Sequence, residues 1–270
     1  MGIHSWVLER DGGFAVLVRN ESVAMARMHI AALACEDAQS APLPSVTAVR
    51  HPHAWLGSVA YAIVLMAVGY AAGINLFGND WFESGSLNGR VLLSHQWWRI
   101  VTALTLHMDV AHLVGNLVFG VVLGYFVSVA VGAGIGWASI MLAAAMGNAL
   151  DAWWMPEPHR SIGASTAVFA ALGLLSAYAW RRNAAASTRL GRLKRWAPLV
   201  AGIMLLGLIG VGGENTDVIA HATGFASGGL LGAGLARTTA ERLLNPAMQI
   251  GAAALTVLVI AGAWFWGLSQ

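Results

Sequence analysis

Gly163-Ala164-Ser165-Thr166 heads an apolar segment from about 161 to 180, and Ala220-His221, with Gly224, Gly228 and Gly232 behind it, heads another from about 217 to 236. Each segment has the roughly 20 apolar residues needed to cross a hydrocarbon core of ~30 Å. Each also carries one chemically able side chain near its start. Ser165 lies five residues past Arg160 and His221 four past Asp217. At a rise of ~1.5 Å per residue, both are roughly 6 to 8 Å below the boundary where their segments enter.

Composition agrees with a chain built for lipid. Of 270 residues, 57% are hydrophobic and only 10% charged, and the mean hydropathy is +0.65, far from the soluble average. Seven stretches qualify as spans: about 54 to 77, 110 to 131, 133 to 151, 161 to 180, 196 to 213, 217 to 236 and 247 to 267. The expected fold is an all-α polytopic membrane protein. Orientation follows from the basic residues, which stay on the cytoplasmic side. With a cytoplasmic N-terminus, twelve of the 15 Lys and Arg fall inside, six of them between 181 and 195, and only Arg90, Arg99 and Arg160 fall outside. A bacterial inner (plasma) membrane is the expected location, with the seventh segment ending outside.

Residues 1–50 carry charge throughout and lack the apolar core and cleavage site of a signal peptide. They read as a small α+β cytoplasmic segment. Trp6 to Arg10 and Phe14 to Val18 flank Asp11-Gly12-Gly13, a hairpin turn signal. Asn20 caps a helix from about Glu21 to Ala34 that places Met25, Met28 and Ala32 on one face. Ala41-Pro42-Leu43-Pro44 is the linker into a membrane domain of residues 51–240, and residues 241–270 form an additional helix. Cys35 is the sole cysteine, so no intrachain disulfide forms. The net charge of +2 comes mostly from topology signals and implies no nucleic-acid partner.

Polar groups at membrane depth are costly and point to a site. His107, His112 and Asn116 open the second segment and enter from the same side as Ser165 and His221. Gly224, Gly228 and Gly232 recur every four residues, with His221 nearly on that face. Gly163, Ala167, Ala170 and Gly173 offer a shallow surface on the fourth segment. Such small-residue seams let helix backbones approach closely, which would put the Ser165 hydroxyl within reach of the His221 imidazole.

Together, Trp98-Arg99, the series His107, His112 and Asn116, the triplet Gly163-Ala164-Ser165, and Ala220-His221 with Gly224 and Gly228 resemble the rhomboid intramembrane serine proteases. The resemblance covers about residues 54 to 237. It implies a six-helix core plus one further helix, and a Ser165–His221 dyad. It also implies that His112, Asn116 and the Ser165 backbone N–H stabilise the oxyanion. Phe169 matches the aromatic that packs on the catalytic imidazole and Gly163 the opening glycine, while Arg99, His107 and Gly224 are implied to be supporting. Thr166 departs from the family's usual glycine, which puts the packing there in question. The implied substrate is the transmembrane segment of a single-span protein within the bilayer, and no cofactor or metal is implied.

Three other readings fit these residues less well. A zinc site of His107, His112 and His221 is disfavoured because residues five apart on a helix point about 140° apart and no His-Glu-x-x-His is present. A catalytically inactive rhomboid-like binder of transmembrane helices would have no need of both Ser165 and His221. A transporter should show broken helices and internal symmetry. Asp217, at i−4 from His221, is a less expected orienter of the imidazole, since a boundary aspartate is more often solvated. The loops at Trp81 to Leu93 and Glu214 to Asp217 are the expected rim. Trp153, Trp154, Trp264 and Trp266 read as an interfacial aromatic belt, Asp109 as mostly solvated, and His51, His53 and His159 as loop residues without a role.

Overall fold

The computed structural model describes residues 3–10, 13–39, 51, 53–89, 91, 93–155, 158–182, 189–210 and 217–270. The chain divides into two compact units, Met1–Ala48 and Val49–Gln270. In the first, β1 (Ser5–Arg10) pairs antiparallel with β2 (Gly13–Val18), Ser5 opposite Val18, and α1 spans Val23–Gln39. Asn20 does not cap α1; it opens a 3-10 turn, Asn20–Ser22, that leads into the helix. Met25 and Met28 are exposed, since none of the described residues of this unit covers their face. The Asp11-Gly12 turn and the Ala41 to Pro44 linker lie outside the described residues.

In the second unit the long helices are α2 (Ala54–Gly73), α5 (Val110–Val131), α6 (Ala133–Trp154), α7 (Ser165–Arg182), α8 (Arg189–Ile209), α9 (Val218–Leu235) and α11 (Pro246–Leu268). Between them run α3 (Trp81–Gly85), α4 (Arg99–Thr102), α10 (Ala240–Leu244) and a two-residue ladder joining β3 (Leu87–Asn88) to β4 (Arg160–Ser161). Side-chain caps fix several starts. Asp109 Oδ1 accepts from His112 N–H at 2.8 Å, and Asp217 Oδ1 from Ala220 N–H at 3.0 Å. Asn245 accepts from Ala247 N–H at 2.9 Å, with Pro246 at the first helical position, where its missing N–H costs nothing. Asp109 is exposed, as expected, and also caps α5.

Each of the seven expected spans is occupied by a helix. Among the described residues, five helices are long and apolar enough to cross a membrane: α2, α5, α6, α9 and α11. The others, α7 and α8, end and begin on basic residues, Arg181 and Arg182 in one and Arg192, Lys194 and Arg195 in the other. For α7 the environment compensates, since its residues from Thr166 to Leu174 are all buried among α5, α6, α8 and α9. A helix surrounded by protein does not have to match lipid.

Helices α7 and α9 touch backbone to backbone. A Cβ added to Gly228 would lie 2.0 Å from Ala170 O, one on Gly232 2.2 Å from Leu174 O, and one on Gly173 2.0 Å from Phe225 O. On α7 the seam is therefore Thr166, Ala170, Gly173 and Leu174. Ala167 instead lines a cavity together with Leu104 and Ile140, and Gly163 faces α5. Thr166 is accommodated between two glycines: its Cγ2 would lie 2.9 Å from a Cβ on either Gly147 of α6 or Gly224 of α9. The extra methyl fills the space that those two residues leave.

At its first turn, α11 is held by Gln249, whose Nε2 donates to Val131 O at 2.9 Å and Leu243 O at 2.7 Å while its Oε1 accepts from Ile135 N–H at 3.0 Å. At the other end Trp264 is only 6% exposed; it packs on Trp81 with centroids 4.5 Å apart and donates to Thr105 Oγ1 at 3.0 Å. Trp264 is thus core rather than belt, because the short α3 and the α4–α5 connection cover it. Trp153, Trp154 and Trp266 remain exposed. A cavity of about 600 Å³ opens among α2, α6 and α11, with Tyr61, Trp137, Ala164 and Ala167 in its walls.

Overpacking a close helix contact costs about 1–3 kcal/mol or more. Gly228→Ala is expected to lower the thermal unfolding midpoint in detergent. Gly234→Ala, which meets nothing within 4 Å on the same helix, leaves the midpoint unchanged or raises it.

Candidate active site

The loop before α7 is fixed from two sides. Gly163 N–H donates to Ala103 O at 2.9 Å, and Ala164 N–H points at His107 Nε2 at 3.4 Å. Gly163 has φ of +128°, a region that side chains other than glycine rarely enter, and a Cβ there would lie 2.7 Å from the His112 ring. The glycine thus lets the loop turn and lets it lie against α5. Ser165 follows as the first residue of α7.

A cavity of about 440 Å³ opens over this turn, and its walls include Ser165, His221, His112, Asn116 and Phe169. Four elements converge there: α5, the loop before α7, α7 itself and α9. Phe169 lies one turn beyond Ser165 on the same face of α7, and its ring stacks on the His221 ring with centroids 4.4 Å apart. One residue past Ser165, Thr166 O would lie 2.6 Å from a Cβ on Gly224, so the seam begins immediately below Ser165 and His221.

His221 is buried and its Nδ1 lies 2.9 Å from Gly210 O, at the end of α8. A carbonyl oxygen only accepts, so Nδ1 carries the proton and Nε2 is left with its lone pair. Asp217 does not orient this ring. It caps α9 and its Oδ2 faces His159 at 3.1 Å. Buried Asn116 has an Nδ2 without a hydrogen-bond partner, while its backbone carbonyl accepts from the Tyr61 hydroxyl at 2.9 Å. An amide donor buried without a partner beside a serine at a helix start is arranged to meet negative charge. The first N–H groups of α7 add donors in the same place.

The other expected residues stand outside the cavity. His107 supports the loop from behind, with its ring edge-on to His112 at 5.1 Å. Arg99 is buried and donates through Nη1 to Glu83 O at 2.7 Å and Ser86 O at 2.9 Å, and through Nε to Gln96 Oε1 at 2.8 Å. It pins α3 and β3 to α4. The Trp81 to Leu93 loop does not line the cavity among the described residues, because Trp81 is buried against Trp264. Instead Met108, Asp109, Phe119, Arg160, Ser161, Ile162 and Ile209 make the rim. Residues 214–216 lie outside the described residues.

Sequence reasoning missed the Gly210 carbonyl, a main-chain group with no side chain to read. It also missed that His159 Nε2 lies 3.1 Å from both Asp151 Oδ2 and Asp217 Oδ2. One signal was available, since Asp151 is an acidic residue at the end of an apolar segment.

Burial, with a smaller contribution from neighbouring His112, lowers His107 from its ordinary value near 6.5 to about 4. The unfolded chain then binds a proton that the folded chain refuses. Stability is full above about 6.5 and is lost as the pH falls toward 4. Thermal unfolding in detergent between pH 7 and 4 is expected to show this slope, and His107→Gln, which stays neutral, is expected to flatten it.

Among curated proteins, no relative matches this chain. A family model, the Rhomboid domain, matches residues 94–238, which contain the α4 arginine, the His112 and Asn116 pair, the Ser165 turn, the His221 helix and the glycine seam. The match spans more than half of the sequence, and the chain belongs to the rhomboid family.

Proposed function

We propose that the chain is an intramembrane serine endopeptidase that hydrolyses a peptide bond in or near the transmembrane segment of a single-span membrane protein. The observation that carries this reading is a shared cavity: Ser165 and the ring of His221 face it together with an unpartnered Asn116 amide. The basic residues, twelve to three, support a cytoplasmic N-terminus and a cavity that opens on the extracytoplasmic side.

His221 Nε2 takes the Ser165 proton as Oγ attacks the scissile carbonyl carbon. The carbonyl π electrons move to oxygen, where Asn116 Nδ2, the His112 ring and the Ser165 N–H stabilise the charge. The tetrahedral intermediate collapses, the C–N bond breaks, and His221 gives its proton to the leaving amine. Water then adds to the acyl-enzyme by the same route and releases Ser165. No cofactor or metal takes part.

Cleavage of a single-span substrate by detergent-purified protein is expected to disappear in Ser165→Ala and His221→Ala. Losing one oxyanion donor typically lowers kcat by ~10²–10³, which is the expected effect of Asn116→Ala, with KM little changed. Cleavage at the wild-type rate by Ser165→Ala would reject Ser165 as the nucleophile, whereas no cleavage by wild type would favour a family member that only binds helices.

A further inference from the structure

His159 lies between the end of α6 and β4, and its Nε2 meets two carboxylate oxygens, each at 3.1 Å: Asp151 Oδ2 from the last turn of α6 and Asp217 Oδ2 from the cap of α9. Asp151 is fully buried, and the His159 and Asp217 side chains are 15% and 16% exposed. Two carboxylates that share one nitrogen in a half-dry site repel each other unless one takes up a proton or a cation stands between them. An imidazolium supplies it. As acceptors for its N–H, Asp151 first and then Asp217 raise His159 to about 10, so this charge persists across the neutral range. Its stabilisation is complete below about 6.5 and is lost as the pH rises through about 10. Among the described residues, the charged groups that face the ring are these two, one from each helix packed against it.

The positions of the three residues give the cluster its importance. His159 precedes Ser165 by six residues, and Asp217 precedes His221 by four. On the helix that Asp217 caps, Thr223 Oγ1 donates to Gly147 O of α6 at 3.0 Å. The strand that delivers the nucleophile, the helix that delivers the base and the helix behind both are thus joined above the glycine seam, at the height of the cavity. Arg160, next in sequence, is turned away to Glu83 at 2.9 Å, which leaves His159 as the cation of the joint.

We propose that His159, held as an imidazolium between Asp151 and Asp217, is a positioning residue that fixes the Ser165 loop against the His221 helix. This rests on reading Ser165 and His221 as the dyad. Misplacement of reacting groups by about 1 Å costs up to ~10²-fold, so His159→Ala is expected to lower kcat ~10–100-fold with KM within about twofold. It leaves two carboxylates facing each other. Asp151→Asn is therefore expected to lower kcat in the wild-type background and to raise it, with the unfolding midpoint, in His159→Ala. A side chain that only fills space would not reverse the sign of that second substitution.

The experiment is a four-way comparison of wild type, His159→Ala, Asp151→Asn and the double variant. It measures kcat and KM on a single-span substrate and fluorophosphonate labelling of Ser165. Should His159→Ala not purify, His159→Gln, which cannot carry the charge, takes its place. Unchanged kcat in the single His159 variant, or a double variant worse than both singles, overturns the proposal. So does about one equivalent of tightly bound divalent metal in the wild type that Asp151→Asn abolishes, since a metal would then replace the proton. Failure of the dyad reading is separate: Ser165→Ala would cleave and wild type would resist the fluorophosphonate.

Discussion

Everything in the membrane unit depends on two helix backbones being allowed to touch. The chain offers no side chain on one face of α9 at Gly224, Gly228 and Gly232, and α7 answers with the carbonyls of Thr166, Ala170 and Leu174. In lipid, burying apolar surface does not drive helices together, so close packing and polar contacts must hold them. A continuous glycine face maximises the first. It also sets the spacing of the two side chains just above it, because Ser165 and His221 are each within one turn of the top contact.

Around this pair, the remaining helices act mainly as supports. The second helix, α5, contributes His112 and Asn116 and is braced by the Tyr61 hydroxyl from α2 and by Ser58 Oγ donating to Val121 O at 3.0 Å. In α6 Gly147 receives both Thr166 and Gly224. The last helix, α11, does not sit apart from the core: Gln249 closes the α5–α6 turn at one end, and Trp264 fills the space under α3 and the α4–α5 connection at the other. Among the described residues, most buried polar side chains meet main-chain carbonyls, which suits a low-dielectric setting.

The parts legible in the sequence were those set by local pattern. Seven apolar runs became seven helices, the four-residue glycine repeat became the seam, and the polar residues at segment starts came together at one cavity. What escaped depended on contacts between distant residues or on the main chain. His159 looked like a loop residue because its partners, Asp151 and Asp217, are 8 and 58 positions away. Trp264 looked interfacial because nothing local reveals that α3 folds over it. Met25 and Met28 share a helix face, yet periodicity alone could not say whether anything covers it. Thr166 looked awkward until Gly147, on a helix that the motif does not mention, was seen to leave room for the methyl.

The bond from His221 to Gly210 O has a consequence for how such a centre is controlled. In a triad a carboxylate holds the imidazole, and its grip changes only with charge or rotamer. Here the His221 ring is held by the main chain at the end of α8, so under the proposed mechanism its readiness as a base depends on where a helix stops. A small retreat of that terminus would free the ring to rotate, idling the centre without any change in protonation and rearming it when the helix returned.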